Sequence, residues 1–309
     1  MAKIRHMYPG GNTCYGFYSF YEYIVRPEVK RKIILKGGPG VGKSSLMKKL
    51  ADIFVKKDWD LEYHWCSSDN NSLDALVIGN HQYCFLDGTA PHRIDPEFPG
   101  AVDEIINLGQ FWDRAKLTPH RNEIIDLTRK VSGAFSRAYI RLGETALAYK
   151  EWKTYYEEAQ DKKAVNRNIL ALSEEFLQGA KDSSYKPRHS FAGAITPQGL
   201  VSKIDTVFDP GYELFVIKGD PGTGKYDLFN HVLNLIELSN IYAEVYHNPF
   251  DPNEVDVILL HDIKRALVNT SSPFFYFVRG LQAKHYKRLL DFNQLIRTPI
   301  IDSHAKLIF

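Results

Sequence analysis

The chain has 309 residues, 44% hydrophobic and 25% charged, with 39 Lys and Arg against 37 Asp and Glu for a net charge of +2. This balance fits a folded globular protein and argues against disorder, collagen and coiled coil. A net charge this small supplies no field to gather nucleic acid or an anionic membrane surface, so neither partner is expected. No run approaches eighteen apolar residues and the N-terminus lacks the apolar segment of a secretory signal, so the expected location is cytoplasmic, without a membrane span. Cys14, Cys66 and Cys84 are odd in number, show no C-x-x-C or zinc spacing, and read as reduced thiols.

In chain order, the first strong element is the apolar run 32–35, of strand length and ending near glycine. It leads into Gly37-Gly38-Pro39-Gly40-Val41-Gly42-Lys43-Ser44, a full match to G-x-x-x-x-G-K-[ST]. Ser45 follows, then helical apolar spacing at Leu46, Leu50, Ile53 and Phe54. Strand, glycine turn and helix form the context in which this motif binds phosphate. Glycines let backbone amides approach phosphate oxygens, and the helix start adds its positive end. Lys43 is expected to reach the β- and γ-phosphates, and the Ser44 hydroxyl to ligate Mg²⁺.

Asp69-x-Asn71-x-Leu73-Asp74 comes after the second strand, where open α/β sheets place substrate contacts. It reads either as carboxylates that orient an acceptor, Asp69 or Asp74, or as an Asx-rich turn. Residues 75–78 and 83–86 read as buried strands. Asp87 ends the second of these, where a carboxylate would hold Mg²⁺ through its water shell. His92 and Arg93, just beyond, are candidates for the same crevice.

Residues 119–178 differ in kind. Thr118-Pro119 reads as a helix start, followed by an apolar stripe at Ile124, Val131, Phe135, Ala138, Leu142, Tyr149, Trp152 and Tyr156. A second stripe, Val165, Ile169, Leu172 and Phe176, predicts a helix folding back as a hairpin, both stripes forming core. Arg137 and Arg141, one turn apart, read as lid cations or as a solvated face. The polar segment 181–187 ends in Pro187 and reads as a linker.

Beyond it the pattern repeats. Residues 37–91 align without a gap onto 219–273, a constant offset of 182, with identities that include Gly40/Gly222, Lys43/Lys225, Glu62/Glu244, Asp69/Asp251 and Asp74/Asp256. Arg5-His6 recurs as Arg188-His189. We read a tandem duplication: unit one over residues 1–187 with the helical segment 119–178, unit two over 188–309. The expected fold is α/β, two P-loop units with mainly parallel sheets and a helical hairpin inserted in the first. The second turn keeps Gly219, Gly222, Thr223, Gly224 and Lys225 but has Tyr226 in place of the metal-binding hydroxyl. Asn269 stands where Asp87 would recur. Unit two is therefore expected to keep an anion cradle and lose its metal chemistry.

Gly88 after Asp87 removes the water-polarising carboxylate of many motor ATPases. The absence of N-K-x-D and of L-S-G-G-Q argues against a GTPase and a transporter ATPase. Together, the double turn, the two Arg-His pairs, Asp69 to Asp74 and Asp87-Gly-Thr-Ala-Pro-His92 resemble a bacterial, Firmicutes-type family of duplicated P-loop proteins labelled ATPase or nucleotide-kinase-like. The likeness covers nearly the whole chain, which reads as shortened at its C-terminal end. It implies ATP and Mg²⁺ as cofactors and names no substrate. The expected function is γ-phosphoryl transfer to water or a small acceptor at one site in unit one. The alternative is a nucleotide-controlled switch or scaffold with slow hydrolysis and a macromolecular partner.

Overall fold

The computed structural model describes residues 2–26, 28–89, 94–271 and 286–308. The N-terminal half contains β1 (Ile4–Met7), the hairpin β2 (Gly10–Thr13) and β3 (Gly16–Ser19), β4 (Arg31–Lys36), α1 (Lys43–Val55), β5 (Leu61–Trp65), β6 (Leu73–Ile78), β7 (Tyr83–Asp87) and β8 (Asp103–Asn107). Three helices follow: α2 (Arg114–Leu117), α3 (Arg121–Ala159) and α4 (Lys162–Leu177). The C-terminal half contains β9 (Arg188–Phe191), the hairpin β10 (Gly193–Thr196) and β11 (Gly199–Ser202), β12 (Glu213–Lys218), α5 (Lys225–Leu238), β13 (Glu244–His247), β14 (Val255–Leu260), β15 (Arg265–Asn269), β16 (Tyr286–Asp291) and α6 (Thr298–Ile308).

Two six-stranded sheets result, ordered β1-β5-β6-β7-β4-β8 and β9-β13-β14-β15-β12-β16, and so matched element for element. They are mixed rather than wholly parallel: β6 and β14 run antiparallel to both neighbours. The short links from β5 to β6 and from β6 to β7 explain this, because a parallel return needs a crossover of a dozen residues or more. Between β4 and β8, only the links from β4 to β5, through α1, and from β7 to β8 have that length. The reversal has a chemical consequence. It places the start of β6, with Asp74, at the edge where β4 and β7 end.

β6 and β14 are buried along their whole length, yet each carries an aspartate at its second position, Asp74 and Asp256. In the first unit, one face of the sheet packs on α1 through Met47 and Ala51, and the other on Tyr21, Ile24 and Val29. In the second unit, Leu228, Phe229, Val232 and Ile236 of α5 cover one face.

The helical segment departs from expectation. Pro119 lies in a 3-10 turn, Thr118–His120, and α3 begins after it. The 39 residues of α3 span about 58 Å. Its first half is not core: Ile124 and Val131 are exposed, and burial begins only with Tyr149 and Tyr156. Instead of closing a hairpin in unit one, α4 packs its stripe of Val165, Ile169, Leu172 and Phe176 into the core of unit two, beside α5. Phe215 and Phe229 of unit two complete that apolar face.

The units meet at β1 and β9, where Tyr8 and Phe191 exchange two backbone hydrogen bonds of 2.9 and 3.0 Å. Beneath lies a buried quartet. Arg5 donates to Glu62 at 3.0 Å and to Glu244, while Arg188 donates to Glu62 at 2.6 Å and lies 3.5 Å from Glu244. Each carboxylate serves an arginine from both units. Their mutual attraction holds Glu62 and Glu244 well below the usual carboxylate range despite strong desolvation.

Candidate functional site

The first glycine turn joins β4 to α1. Gly40 and Gly42 have φ of 80° and 91°, left-handed values that a side chain would strain. A Cβ at either would meet no atom within 4 Å, and Pro39, Gly40, Gly42 and Ser45 are exposed. The turn is an open cradle. At its centre Lys43, 8% exposed, donates to the carbonyls of Gly37 and Gly38 and lies 3.4 Å from the Asp87 carboxylate. Thr89 fastens the arrangement, accepting nothing from the lysine itself: its hydroxyl donates to Gly37 at 2.8 Å and its amide to Asp87 at 2.8 Å. No motif pointed to Thr89.

Ser44, on the first turn of α1, accepts a hydrogen bond of 3.0 Å from the Leu73 amide, which ties it to the start of β6. The next residue, Asp74, is buried. Burial pushes its carboxyl up to about 7, with the Asp87 charge adding to the effect and donation from Tyr21 and Cys66 opposing it. Burial also pushes the Cys66 thiol up to about 12, so it faces Asp74 as a donor. Lys43, Ser44, Asp74 and Asp87 thus gather at one edge of the sheet.

Asp69 does not join them. It is exposed, and its oxygens accept from the Asn71 amide at 3.0 Å and the Ser72 hydroxyl at 2.5 Å, bonds that hold its carboxyl below the usual range. Asp251 accepts from Asn253 in the same way at 3.0 Å. This is the geometry of an Asx turn. Arg137 and Arg141 are exposed on α3, and Arg141 pairs with Glu144 at 2.6 Å. His92 and Arg93 lie outside the described residues.

Among the described residues no group of three or more His, Cys, Asp or Glu side chains could hold a metal ion. A divalent cation at the first turn would therefore draw most of its ligands from phosphate and water, with Ser44 and Asp87 as the protein's share. Both stand beside Lys43, so the residues present fit that role.

The second turn has the same backbone, with φ of 84° at Gly222 and 99° at Gly224, and the opposite surroundings. Pro221, Gly222, Thr223, Gly224 and Lys225 are all buried. The end of α3 lies across them: a Cβ on Gly222 would collide with the Lys153 carbonyl, and Gln160 donates to the Gly222 carbonyl at 2.6 Å. Lys153 is held there by Glu254 at 2.7 Å. Lys225 donates to Gly219 at 2.7 Å, and burial lowers its pKa while raising that of Asp256. Tyr226 stands in the place of Ser44, and its hydroxyl reaches the aspartate of β14. It donates to Asp256 at 3.3 Å and accepts from Asn269 at 3.2 Å, and Asn269 donates to the same Asp256 oxygen at 2.8 Å.

A cavity of about 580 Å³ lies between the units near Leu61 and Glu244, lined by Arg26, His81, Tyr242 and His261. It holds none of the expected site residues. No helix among the described residues is long and apolar enough to cross a membrane. Comparison of the chain with protein-family models finds no match, and no curated protein or solved structure matches it.

Proposed function

We propose that the chain is an ATP-binding P-loop NTPase of duplicated origin with one Mg²⁺-competent site, in unit one, and that it transfers the γ-phosphoryl group to water or a small acceptor. The observation that carries this reading is the open glycine turn with Lys43 set 3.4 Å from Asp87, against a matched turn whose glycines and lysine are buried and whose Tyr226 stands in the place of Ser44. The ammonium of Lys43 would neutralise charge developing on the γ-phosphoryl oxygens, in a partly dry site where that effect is strong. Bound Mg²⁺ would supply charge neutralisation at the β- and γ-phosphates, held by Ser44 and Asp87. Asp74 is the candidate base. With its carboxyl near 7 it can accept the proton of the attacking hydroxyl as the new P–O bond forms and the bond to ADP breaks.

The test is calorimetry of the purified chain with Mg²⁺ and a non-hydrolysable ATP analogue, alongside steady-state ATP hydrolysis. Binding of one equivalent supports the reading; no binding overturns it. The alternative of a nucleotide-controlled switch draws on the exposed apolar residues of α3, Leu127, Val131, Ile140 and Leu147. Turnover that stays slow with every small acceptor and rises with a macromolecular partner would favour it.

A further inference from the structure

We propose that Phe111 and Trp112 form the platform on which the base of the bound nucleotide stacks, a subsite for the flat face of a nucleobase. The inference rests on the reading of the first turn as a nucleotide cradle. β8 flanks β4 on the side away from β7, and its end runs into the 3-10 turn Leu108–Phe111. That turn is rigidly held: Asn107 accepts from the Gly109 amide at 3.0 Å, and the Trp112 amide donates to Gly109 at 3.2 Å. It also backs the cradle. A Cβ on Gly37 would come within 3.1 Å of the Gly109 nitrogen, and one on Gly38 within 2.9 Å of the Trp112 ring.

Trp112 therefore stands at the rim of a polar cradle, with Phe111 next to it along the chain, and the two are 44% and 76% exposed. Water is a poor neighbour for such surface, and a base offers both faces of a π system. Direction supports the assignment. Ser44 and Asp87, the cation-holding side, lie toward β6 and β7, so the terminal phosphates sit on that flank and the nucleoside leaves toward β8.

The second unit supplies the contrast. After β16 its matching turn, Phe292–Leu295, is capped by Asp291, and the residues in the places of Phe111 and Trp112 are Leu295 and Ile296. Neither faces an open cradle. Leu295 packs on the core and its carbonyl accepts from Asp161 at 2.9 Å, while Ile296 bridges to Gln160. The aromatic pair is present where the cradle is open and replaced by tied aliphatics where it is covered. Asn107 and Asp113 are spent on caps, on Gly109 and on Lys116 at 3.2 Å, while Gln110 is exposed. The aromatic faces are the larger surface on offer, so recognition is mainly through the face of the base, with purines favoured by their larger area.

Calorimetry on the full chain with Mg²⁺ tests this, comparing ATP, GTP, CTP and inorganic triphosphate across the wild type, Phe111→Ala, Phe111→Tyr and Trp112→Ala. Phe111→Ala should weaken ATP about 5- to 100-fold, the span of base–aromatic stacking, and leave triphosphate unchanged. Phe111→Tyr should restore ATP binding. Trp112→Ala lies against Gly38 and can disturb the turn, whereas Phe111 projects into solvent and cannot, so the decision rests on Phe111. Wild-type protein that binds ATP, with no selective loss in Phe111→Ala, overturns the platform alone. Wild-type protein that binds neither ATP nor triphosphate overturns the cradle and the platform together.

Discussion

The two glycine turns share a backbone and little else. In each, three glycines take positive φ and a lysine folds back on the first glycine's carbonyl. The first turn presents its glycines to solvent and sets its lysine against a carboxylate at the end of β7. The second is roofed by α3, and its lysine lies 1% exposed among Asp256, Glu254 and Lys153. The lesson is that a phosphate-binding motif specifies a backbone path, while its surroundings decide whether the path is a site or a structural joint. In unit two the turn works as a socket for a helix.

The comparison breaks most sharply at the lysines. Lys43→Ala should lower ATP turnover by about 10³-fold or more, because the γ-phosphoryl charge loses its fixed counter-ion. Lys225→Ala should keep most of the turnover and instead destabilise the fold, since Asp256 and Glu254 lose a buried cation. Hydrolysis assays on both variants decide it, and equal losses would sink the one-site reading in favour of a site shared between units. Asp87→Asn gives the first unit the residue found at Asn269. It should reduce Mg²⁺-dependent turnover about 10²- to 10³-fold, and an unchanged rate would move the cation to Asp74.

Asp74 sharpens the comparison through pH. If Asp74 is the base, the free chain needs this carboxylate deprotonated, so kcat/KM should rise with pH up to about 7 and then level off. Asp74→Asn should flatten that rise. Its folded pKa lies above the unfolded value, so the native state holds the proton more tightly. Stability therefore falls as pH climbs from about 4 to about 7, and the cost is complete above that. The asparagine variant should then be more stable than wild type at pH 8 by about 2–4 kcal/mol, and little changed at pH 4, as measured by urea unfolding. Equal gains at both pH values would mean that the carboxylate is not buried as described.

The smallest effect isolates the roof. Gly40→Ala and Gly222→Ala impose similar left-handed strain, at φ of 80° and 84°, but only the second drives a Cβ into α3. Without nucleotide, Gly222→Ala should cost about 1–3 kcal/mol more in denaturant unfolding. Equal costs would show that α3 does not bear on the turn.

Much of this was legible in the residues. The motif announced both turns, the constant offset announced two matched sheets, and Tyr226 with Asn269 marked where the second turn would differ from the first. Asp74 reads with Asp69 in the repeated turn, just ahead of a strand at 75–78, and the structure takes it into β6. The reversed β6 was not legible from apolar runs, which carry no strand direction; short loops were the available clue. Nor was the partner of α4, because Val165, Ile169, Leu172 and Phe176 would bury equally well against any apolar face. Asp69 shows the limit of a repeated motif: the same residues recur in both units because both need the same turn. Thr89, Lys153 and Gln160 carried no signal, since each acts through a contact far away in sequence.

The quartet of Arg5, Glu62, Arg188 and Glu244 sets the terms on which the halves of the chain can drift apart. Losing one member leaves a buried charge without its counterpart, at about 3–5 kcal/mol out of a total that is seldom above 15. A change at Glu244 is therefore felt in both halves at once, because its partners Arg5 and Arg188 come from each. Each half stands as the other half's wall. Neither can be pruned from the gene, and the pair must be inherited as one piece.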